Sequence, residues 1–461
     1  MNNVILDGQA FLNDHEVPFH FEDNNLKLYF EHLILKEDSD EISVAEEDNN
    51  TSVIKNPNPF ICVRKRGMLG GGYYLMHLER PFTSIECVPF PHTCSRTVNW
   101  YIDNFDNQTK YHEVRFRFDE LSYFIPGSAK VSVVDNTLVF DRSVNELLSF
   151  IMKVRSTNTT VKLVIYSNGI CLPSSSSAQT VSEVRISFDP TDDYEFLHLL
   201  YLIVEDTFSF ICNRKNLKLD SAILVGTYEF EGVHPTTSIL HVYDKYKEPV
   251  EEEKVISRTA NYEHFENCFG GLMQIIASNY DEAGGTISMG GIHPSTSKRS
   301  LIDLRQSINI TSAFEHHVRR FMPEISSSDT LQVYDDIKKL ITDRYISMVT
   351  GKRKKVAKDI VKNLKPTISL GDKISKAVQG YTGWDSLESV VDERFPDWDA
   401  LAGIANSWRN ELAHEKREFI PTYDTIRAVR LVEHLNYAIV LRAVGYSNER
   451  IKQIVNEVLI T

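Results

Sequence analysis

The sequence predicts an α+β multidomain protein. A strand-rich, sandwich-like N-terminal domain covers residues 1–245, a charged linker covers 246–260, and an all-helical bundle covers 261–461. Three observations predict this. Apolar residues recur at a period of two through the first 245 positions, the pattern of half-buried strands. From about residue 260 the period lengthens to that of one helix face. Between the two, Pro249 is followed by Glu251-Glu252-Glu253-Lys254, a composition that suits neither element. A chain of 461 residues has room for roughly two to three domains.

Taken in order, residues 26–35 form the first strand candidate. Residues 114–118 (Val-Arg-Phe-Arg-Phe) alternate strictly. Residues 131–134 and 137–140 flank Asp135-Asn136, a tight-turn pair, and so predict a hairpin. Residues 161–166, 184–188 and 238–243 continue the strand pattern. Residues 37–51, acidic and polar, and 173–180, rich in serine, read as loops. One helix interrupts the strands. Asp193 is placed to cap it, and Phe196, Leu199, Leu200, Ile203 and Val204 make one apolar stripe. The glycines of 67–72 follow Arg64-Lys65-Arg66, but no Lys-Ser/Thr and no helix follow them, so they read as a hairpin loop rather than a phosphate loop.

In the helical part, residues 284–294 are a glycine-rich loop. Leu304, Ile308, Thr311, Phe314, Val318 and Phe321 then share a face, with Pro323 closing the helix. Ser328-Asp329 starts the next helix, which runs through Ile337, Leu340 and Ile341. Further helices are expected over 352–363 and 369–379. Asp397 opens a helix whose apolar positions are Trp398, Leu401, Ile404, Ala405, Trp408 and Leu412. Another covers 425–443, with Gly445 where a positive φ is cheap. The last carries Ile451, Ile454, Val455 and Val458.

Composition narrows the function classes. No run approaches the ~20 apolar residues of a membrane span, and Met1-Asn2-Asn3-Val4 does not begin a secretory signal. Cys62, Cys87, Cys94, Cys171, Cys212 and Cys268 are scattered, which predicts free thiols in a reducing cytoplasm. Cys87, His92 and Cys94 lack the fourth ligand and the spacing of a zinc site, and adjacent His316 and His317 point ~100° apart on a helix, so no metal is expected. The net charge of −14 is uneven. Residues 301–461 hold 24 basic and 22 acidic side chains, whereas residues 1–300 hold 26 and 42. The acidic excess therefore belongs to the first part. The second carries a basic cluster, Lys352, Arg353, Lys354, Lys355, Lys358 and Lys362, followed by Lys365.

Residues 408–416, Trp-Arg-Asn-Glu-Leu-Ala-His-Glu-Lys, hold the chemistry. Arg409, Asn410 and His414 supply a planar cation, an amide and a group that titrates near neutrality, which suits holding a phosphate and moving a proton. At 100° per residue Asn410 and His414 project together, opposite the apolar stripe. Arg409 lies at the edge of that stripe, ~140° from His414. Helical geometry thus supports the Asn-His pair more firmly than the triad.

This stretch, Arg409-Asn410-Glu411-Leu412-Ala413-His414, resembles the signature of the HEPN superfamily of helical ribonucleases. The earlier helix carries Ala313-Phe314-Glu315-His316-His317-Val318-Arg319, similar to the HEPN helix that supplies an acidic residue, which matches Glu315. A strand-rich domain joined to a C-terminal HEPN bundle resembles the ApeA family of bacterial antiphage proteins over nearly the whole chain. The resemblance implies metal-independent RNA cleavage without a cofactor. The ribose 2′-OH loses its proton, attacks phosphorus and expels the 5′-oxygen, leaving a 2′,3′-cyclic phosphate and a 5′-hydroxyl. His414 would act as general base or acid, Arg409 would stabilise charge on the phosphoryl oxygens, Asn410 would orient the phosphate or the imidazole, and Glu315 would hold Arg409 or His414. The family further implies a homodimer through the helical domain, an RNA target, and a phage-encoded trigger sensed by the acidic domain. Transfer RNA is the preferred target, because a few exposed loop nucleotides suit a shallow dimer groove and cutting them stops translation. The basic cluster would guide RNA. Two other readings predict different things. A non-catalytic HEPN scaffold would regulate a partner, and a carbohydrate- or peptide-binding β-domain with a helical oligomerisation tail would not degrade RNA.

Overall fold

The computed structural model describes residues 5–459, apart from 13–14, 31–32, 36–40, 46–50, 56–58, 67–71, 81–91, 126–130, 135–136, 141–143, 173–174, 230–231, 244–259, 282–284, 300–301, 323–327, 364–367 and 414–420. For residues 12, 15, 30, 33–35, 41–45, 51–55, 92–94, 131–134, 137–140, 167–172, 175–179, 229, 296, 299, 328–331, 363 and 413 it describes the backbone alone. The linker of 246–260, except Ala260, the glycines of 67–71, Cys87, Lys365 and His414 therefore lie outside the described residues. The chain is α+β, with a large antiparallel sheet followed by a helical region. It divides into two units. One contains Met1–Phe208 and Asn216–Ile256, the other Ser209–Lys215 and Ser257–Thr461.

In the strand-rich unit β1 (Leu6–Leu12), β2 (His15–Glu22) and β3 (Asn25–Phe30) form a meander. Then β4 (Leu33–Leu35), β5 (Glu41–Ala45) and β6 (Thr51–Lys55) make a small separate sheet. After them come β7 (Phe60–Lys65), β8 (Tyr73–Leu78) and β9 (His92–Phe105). β7 joins the free edge of β1, and β9 pairs with β3 through its first half and with β8 through its second. The order β9-β3-β2-β1-β7-β8 thus returns to β9, and six strands close on themselves. Val17, Phe19 and Phe21, Leu26 and Leu28, Ile61 and Val63, and Met76 and Leu78 are buried at every second position and form one apolar cluster. The two apolar faces that a sandwich would stack are here opposite walls of a single closed sheet.

Beyond β9 the sheet runs on through β10 (Lys110–Phe116), β13 (Asn145–Val154), β14 (Thr157–Leu172), β15 (Ser175–Thr191), β16 (Ser221–Glu229) and β17 (Val233–Val242), in the order β13-β14-β15-β10-β16-β17-β9. The expected hairpin is β11 (Val131–Val134) with β12 (Thr137–Phe140). A short helix, α1 (Asp119–Phe124), goes unmarked by any long apolar period. The expected helix is α2 (Tyr194–Cys212), and Asp193 accepts the Phe196 N–H at 3.0 Å. Its stripe from Phe196 to Val204 is buried. Trp100 on the sheet is stacked between His77 (5.0 Å) and His198 (5.4 Å). Burial pushes His198 down to about 4.

Two expected loops are corrected. β5 and the start of β6 occupy 41–45 and 51, and β15 begins at Ser175. The ladder explains both, with Ile42 opposite Leu35 and Ile54, and Ser177 opposite Ile170. Residues 41–44 alternate, with Ile42 and Val44 set between Glu41 and Ser43 as in a strand. Residues 175–179 are mostly polar, and because strand pairing uses backbone N–H and C=O groups, a polar run can be a strand when a neighbour offers it an edge.

The helical unit contains α3 (Tyr262–Phe265), α4 (Phe269–Ala277), α5 (Thr296–Arg299), α6 (Leu304–Phe321), α7 (Ser328–Leu340), a π-helical turn (Ile341–Ile346), α8 (Gly351–Asn363), α9 (Leu370–Gln379), α10 (Glu388–Val391), α11 (Trp398–Ala413), α12 (Tyr423–Val444) and α13 (Asn448–Val458). Gly445 closes α12 at φ 104°, as expected, whereas the caps Thr422 of α12 and Ser447 of α13 were not among the expected residues. Asp397 precedes α11, and its carboxylate accepts two N–H groups of Arg427 at 2.6 and 2.8 Å.

α12 is the axis of this unit, buried at nearly every position from Ala428 to Leu441. A helix buried all round must satisfy its polar groups internally. Glu433 accepts from Arg430 (2.6 Å), from Asn213 (2.9 Å) and from His293 (2.7 Å). Burial opposes its charge, but His293, Arg430 and Asn213 together hold its carboxyl below the usual carboxylate range. Phe210 stacks on Tyr437 at 4.5 Å, and the Tyr437 hydroxyl donates to the Phe210 carbonyl. These contacts explain why Ser209–Lys215, within a stretch expected to be part of the N-terminal domain, belongs to the helical unit.

Two buried histidines on α6 and α12 are neutral by arrangement. His317 Nδ1 donates to Asn436 (2.5 Å), while its Nε2 accepts the Ser288 N–H (2.8 Å). His434 Nδ1 donates to the Arg430 carbonyl (2.9 Å) and its Nε2 faces Arg394 (3.4 Å). Burial pushes both down to about 4.

Candidate active site

Three helices converge on Glu315. The first is α6, capped by Asp303, which accepts the Gln306 N–H at 2.6 Å. On α6, Ala313, Phe314, His317 and Val318 are buried. That leaves Glu315 on the half-exposed flank, with its side chain 19% exposed. The second is α11. Its apolar side is as the period predicts, with Trp398, Leu401, Ala405 and Trp408 buried. Arg409 and Asn410 are exposed on it. The third is α9, capped by Ser369, which accepts the Asp372 N–H at 3.1 Å.

α9 is pinned closely to α11. Asn406 on α11 accepts the Leu370 N–H (3.2 Å), a first-turn donor that has no partner within its own helix. Gly371 eases the approach. A Cβ there would lie 3.3 Å from the Ala402 carbonyl oxygen. One turn into α9, Lys373 is carried to the same carboxylate.

The Lys373 ammonium donates to Glu315 Oε1 at 2.6 Å. The Arg409 guanidinium donates through Nη2 to Glu315 Oε2 at 3.4 Å. The Lys373 side chain is 19% exposed and that of Arg409 44%. Burial of Glu315 works against its charge. The hydrogen bond and charge of Lys373, assisted by Arg409, outweigh that effect and hold its carboxyl below the usual range. The group is an ion cluster of two cations on one anion, with the more exposed cation held by the longer bond.

The expected site residues divide as follows. Glu315 and Arg409, 94 positions apart, are brought together. Asn410 is exposed on the adjacent helix position. α11 ends at Ala413, and His414 lies outside the described residues. Lys373 was not among the expected residues. On α9 it has no periodicity that separates it from Lys376, and only the packing of α9 on α11 singles it out.

Lys352, Arg353, Lys354, Lys355, Lys358 and Lys362 are all exposed on α8. Ala357, buried on α8, packs against the π-helical turn. Leu340, Ile341, Arg344, Tyr345, Ala357 and Ile360 line a shallow, mostly apolar groove of about 420 Å³ there.

Among the described residues, no three His, Cys, Asp or Glu side chains are grouped to hold a metal ion, and no helix is long and apolar enough to cross a membrane. Cys62, Cys212 and Cys268 are free thiols. No protein-family model matches the chain, and no curated protein matches it.

Proposed function

We propose that this chain is a metal-independent endoribonuclease of the HEPN type, built for antiphage defence in the cytoplasm. The observation that carries the reading is the pairing of Glu315 on α6 with an exposed Arg409 on α11. Those are the two helices on which the resemblance puts an acidic residue and the arginine of the signature. A guanidinium held at its edge by a carboxylate, with most of its N–H groups free of that carboxylate, suits an incoming phosphodiester. Arg409 then stabilises the charge that grows on the phosphoryl oxygens, Asn410 orients the phosphate, and His414 moves the proton of the 2′-OH or of the leaving oxygen. Glu315 aims Arg409. The exposed cations of α8 attract the RNA backbone.

A second copy of the chain pairs through its own helical unit, so that the two copies of the 409–414 motif line one groove. Transfer RNA is the proposed target, because a few loop nucleotides fit a shallow groove and cutting them stops translation. The acidic strand-rich unit senses the phage-encoded trigger.

The test is sequencing of 5′-hydroxyl RNA ends from cells making the parent, His414→Ala or Arg409→Ala proteins. A shared loop site in transfer RNA, present with the parent and absent with both variants, is expected. With purified protein the same cut should survive EDTA. If both variants protect cells as well as the parent does, the nuclease reading fails and the non-catalytic scaffold replaces it.

A further inference from the structure

We propose that Lys373 is a positioning residue that keeps Arg409 available to phosphate by competing with it for Glu315. The inference rests on the RNA-cleaving reading above. A carboxylate facing a lone arginine frequently takes it in a two-point grip, with both bonds near 2.7–2.9 Å. Glu315 does not grip Arg409 in this way. Lys373 occupies Oε1 at 2.6 Å, so Arg409 is left with one bond of 3.4 Å to Oε2. Three fixed charges, two positive and one negative, leave a net positive group, and the surplus resides on the more exposed side chain. Without the ammonium, Glu315 can turn both oxygens to Arg409. The guanidinium is then neutralised and its fork is occupied.

The ammonium is placed by rigid structure. Ser369 caps α9, Asn406 ties Leu370 to α11, and Gly371 sets the closeness of the two helices. Arg409 and Lys373 therefore approach Glu315 from two helices already fixed to each other. The chemistry predicts an unusual dependence between sites. Removing the Lys373 charge harms phosphate binding, and removing the Glu315 charge as well repairs it.

The experiment compares the full-length parent with Lys373→Arg, Lys373→Met, Lys373→Gln and the double variant Lys373→Met/Glu315→Gln. Binding is read with a 2′-O-methyl RNA oligonucleotide, which cannot supply the attacking hydroxyl. Cleavage is read as KM and kcat. The rotation rate of the Arg409 guanidinium is read by arginine side-chain NMR. Lys373→Met should raise Kd and KM by about tenfold, the scale of one charge-assisted contact. It should also lower kcat, because a guanidinium gripped by Glu315 no longer stabilises the charge growing on the phosphoryl oxygens, and it should slow the guanidinium rotation. Lys373→Arg should stay near the parent, and the double variant should regain the parent's Kd while its kcat stays below the parent's, because Glu315 no longer aims Arg409. Lys373→Gln carries the same expectation as Lys373→Met and serves if the latter does not fold.

A purely structural lysine would lower folding stability without this reversal. Unchanged Arg409 rotation in the charge-removing variants overturns the inference, whatever happens to RNA. So does a double variant as weak as Lys373→Met. A parent that neither binds nor cuts RNA, but whose Arg409 slows when Lys373 is replaced, overturns the nuclease reading and leaves the competition for Glu315 standing.

Discussion

Acidification from pH 7 to pH 5 should destabilise the helical unit through His317 and His434. Both are buried neutral, with values near 4 against 6.5 in an exposed chain. Because the folded value is depressed, the unfolded chain takes up the proton first. The stabilisation is complete above about pH 6.5 and is lost as pH falls toward 4. At pH 5 an unfolded histidine is almost fully protonated and the folded one is not. The difference between pH 7 and pH 5 is about 2 kcal/mol per histidine, or about 4 kcal/mol for the pair. That is a large share of the 5–15 kcal/mol typical of a folded domain. The assay is urea unfolding at pH 7, 6 and 5, followed by tryptophan fluorescence. Trp384, Trp398 and Trp408 lie in the helical unit and only Trp100 lies outside it. Hydrogen exchange of the α12 peptides would localise the effect. His317→Gln keeps a donor for Asn436 and an acceptor for the Ser288 N–H, and has no proton to gain. It should cut the pH-dependent loss by about half, as should His434→Gln. If the parent is equally stable at pH 7 and pH 5, or if neither variant reduces the loss, the reasoning from burial is refuted.

Two further outcomes test the placement of the site. Replacing Lys352, Lys354 and Lys358 by Glu should leave folding within roughly ±0.5 kcal/mol per position, since all three are exposed. The same triple variant should weaken RNA binding and flatten its salt dependence by about 0.7 in log–log slope for each phosphate that is no longer neutralised; an unchanged slope would remove α8 from the RNA path. Gly371→Val should cost about 1–3 kcal/mol, because its first side-chain atom already meets the Ala402 carbonyl oxygen at 3.3 Å. It should also lower RNA affinity by moving Lys373 away from Glu315, and wild-type affinity and stability together would show that the α9–α11 approach is not tight.

Much of this protein was legible in its residues because burial has a period. Val114, Phe116 and Phe118 alternate and are buried, and so are the stripes of α2 and α13 and most of that of α11. Helix ends were legible for the same local reason, since a cap such as Asp193 or Gly445 acts on the backbone beside it. The α+β organisation follows from these local signals alone. A period reports which face is buried and leaves open what covers it. Only long-range pairing of β8 with β9 decided that six strands close on themselves, and only a neighbouring edge made a strand of the polar run at 175–179, whereas Ile42 and Val44 already alternate with Glu41 and Ser43. The same limit applies to the site. Arg409 and Asn410 stand in one short motif, and Glu315 could be matched to them by resemblance. That Glu315 is shared with Lys373, 58 positions away, depends on Gly371 admitting α9 against α11. An ion pair between helices leaves no trace in either helix's own pattern, because each partner alone is an ordinary charge on a half-exposed flank. The residue types at the site were thus determined by the sequence. Which of them share one carboxylate, and how loosely Arg409 is held, was decided by packing.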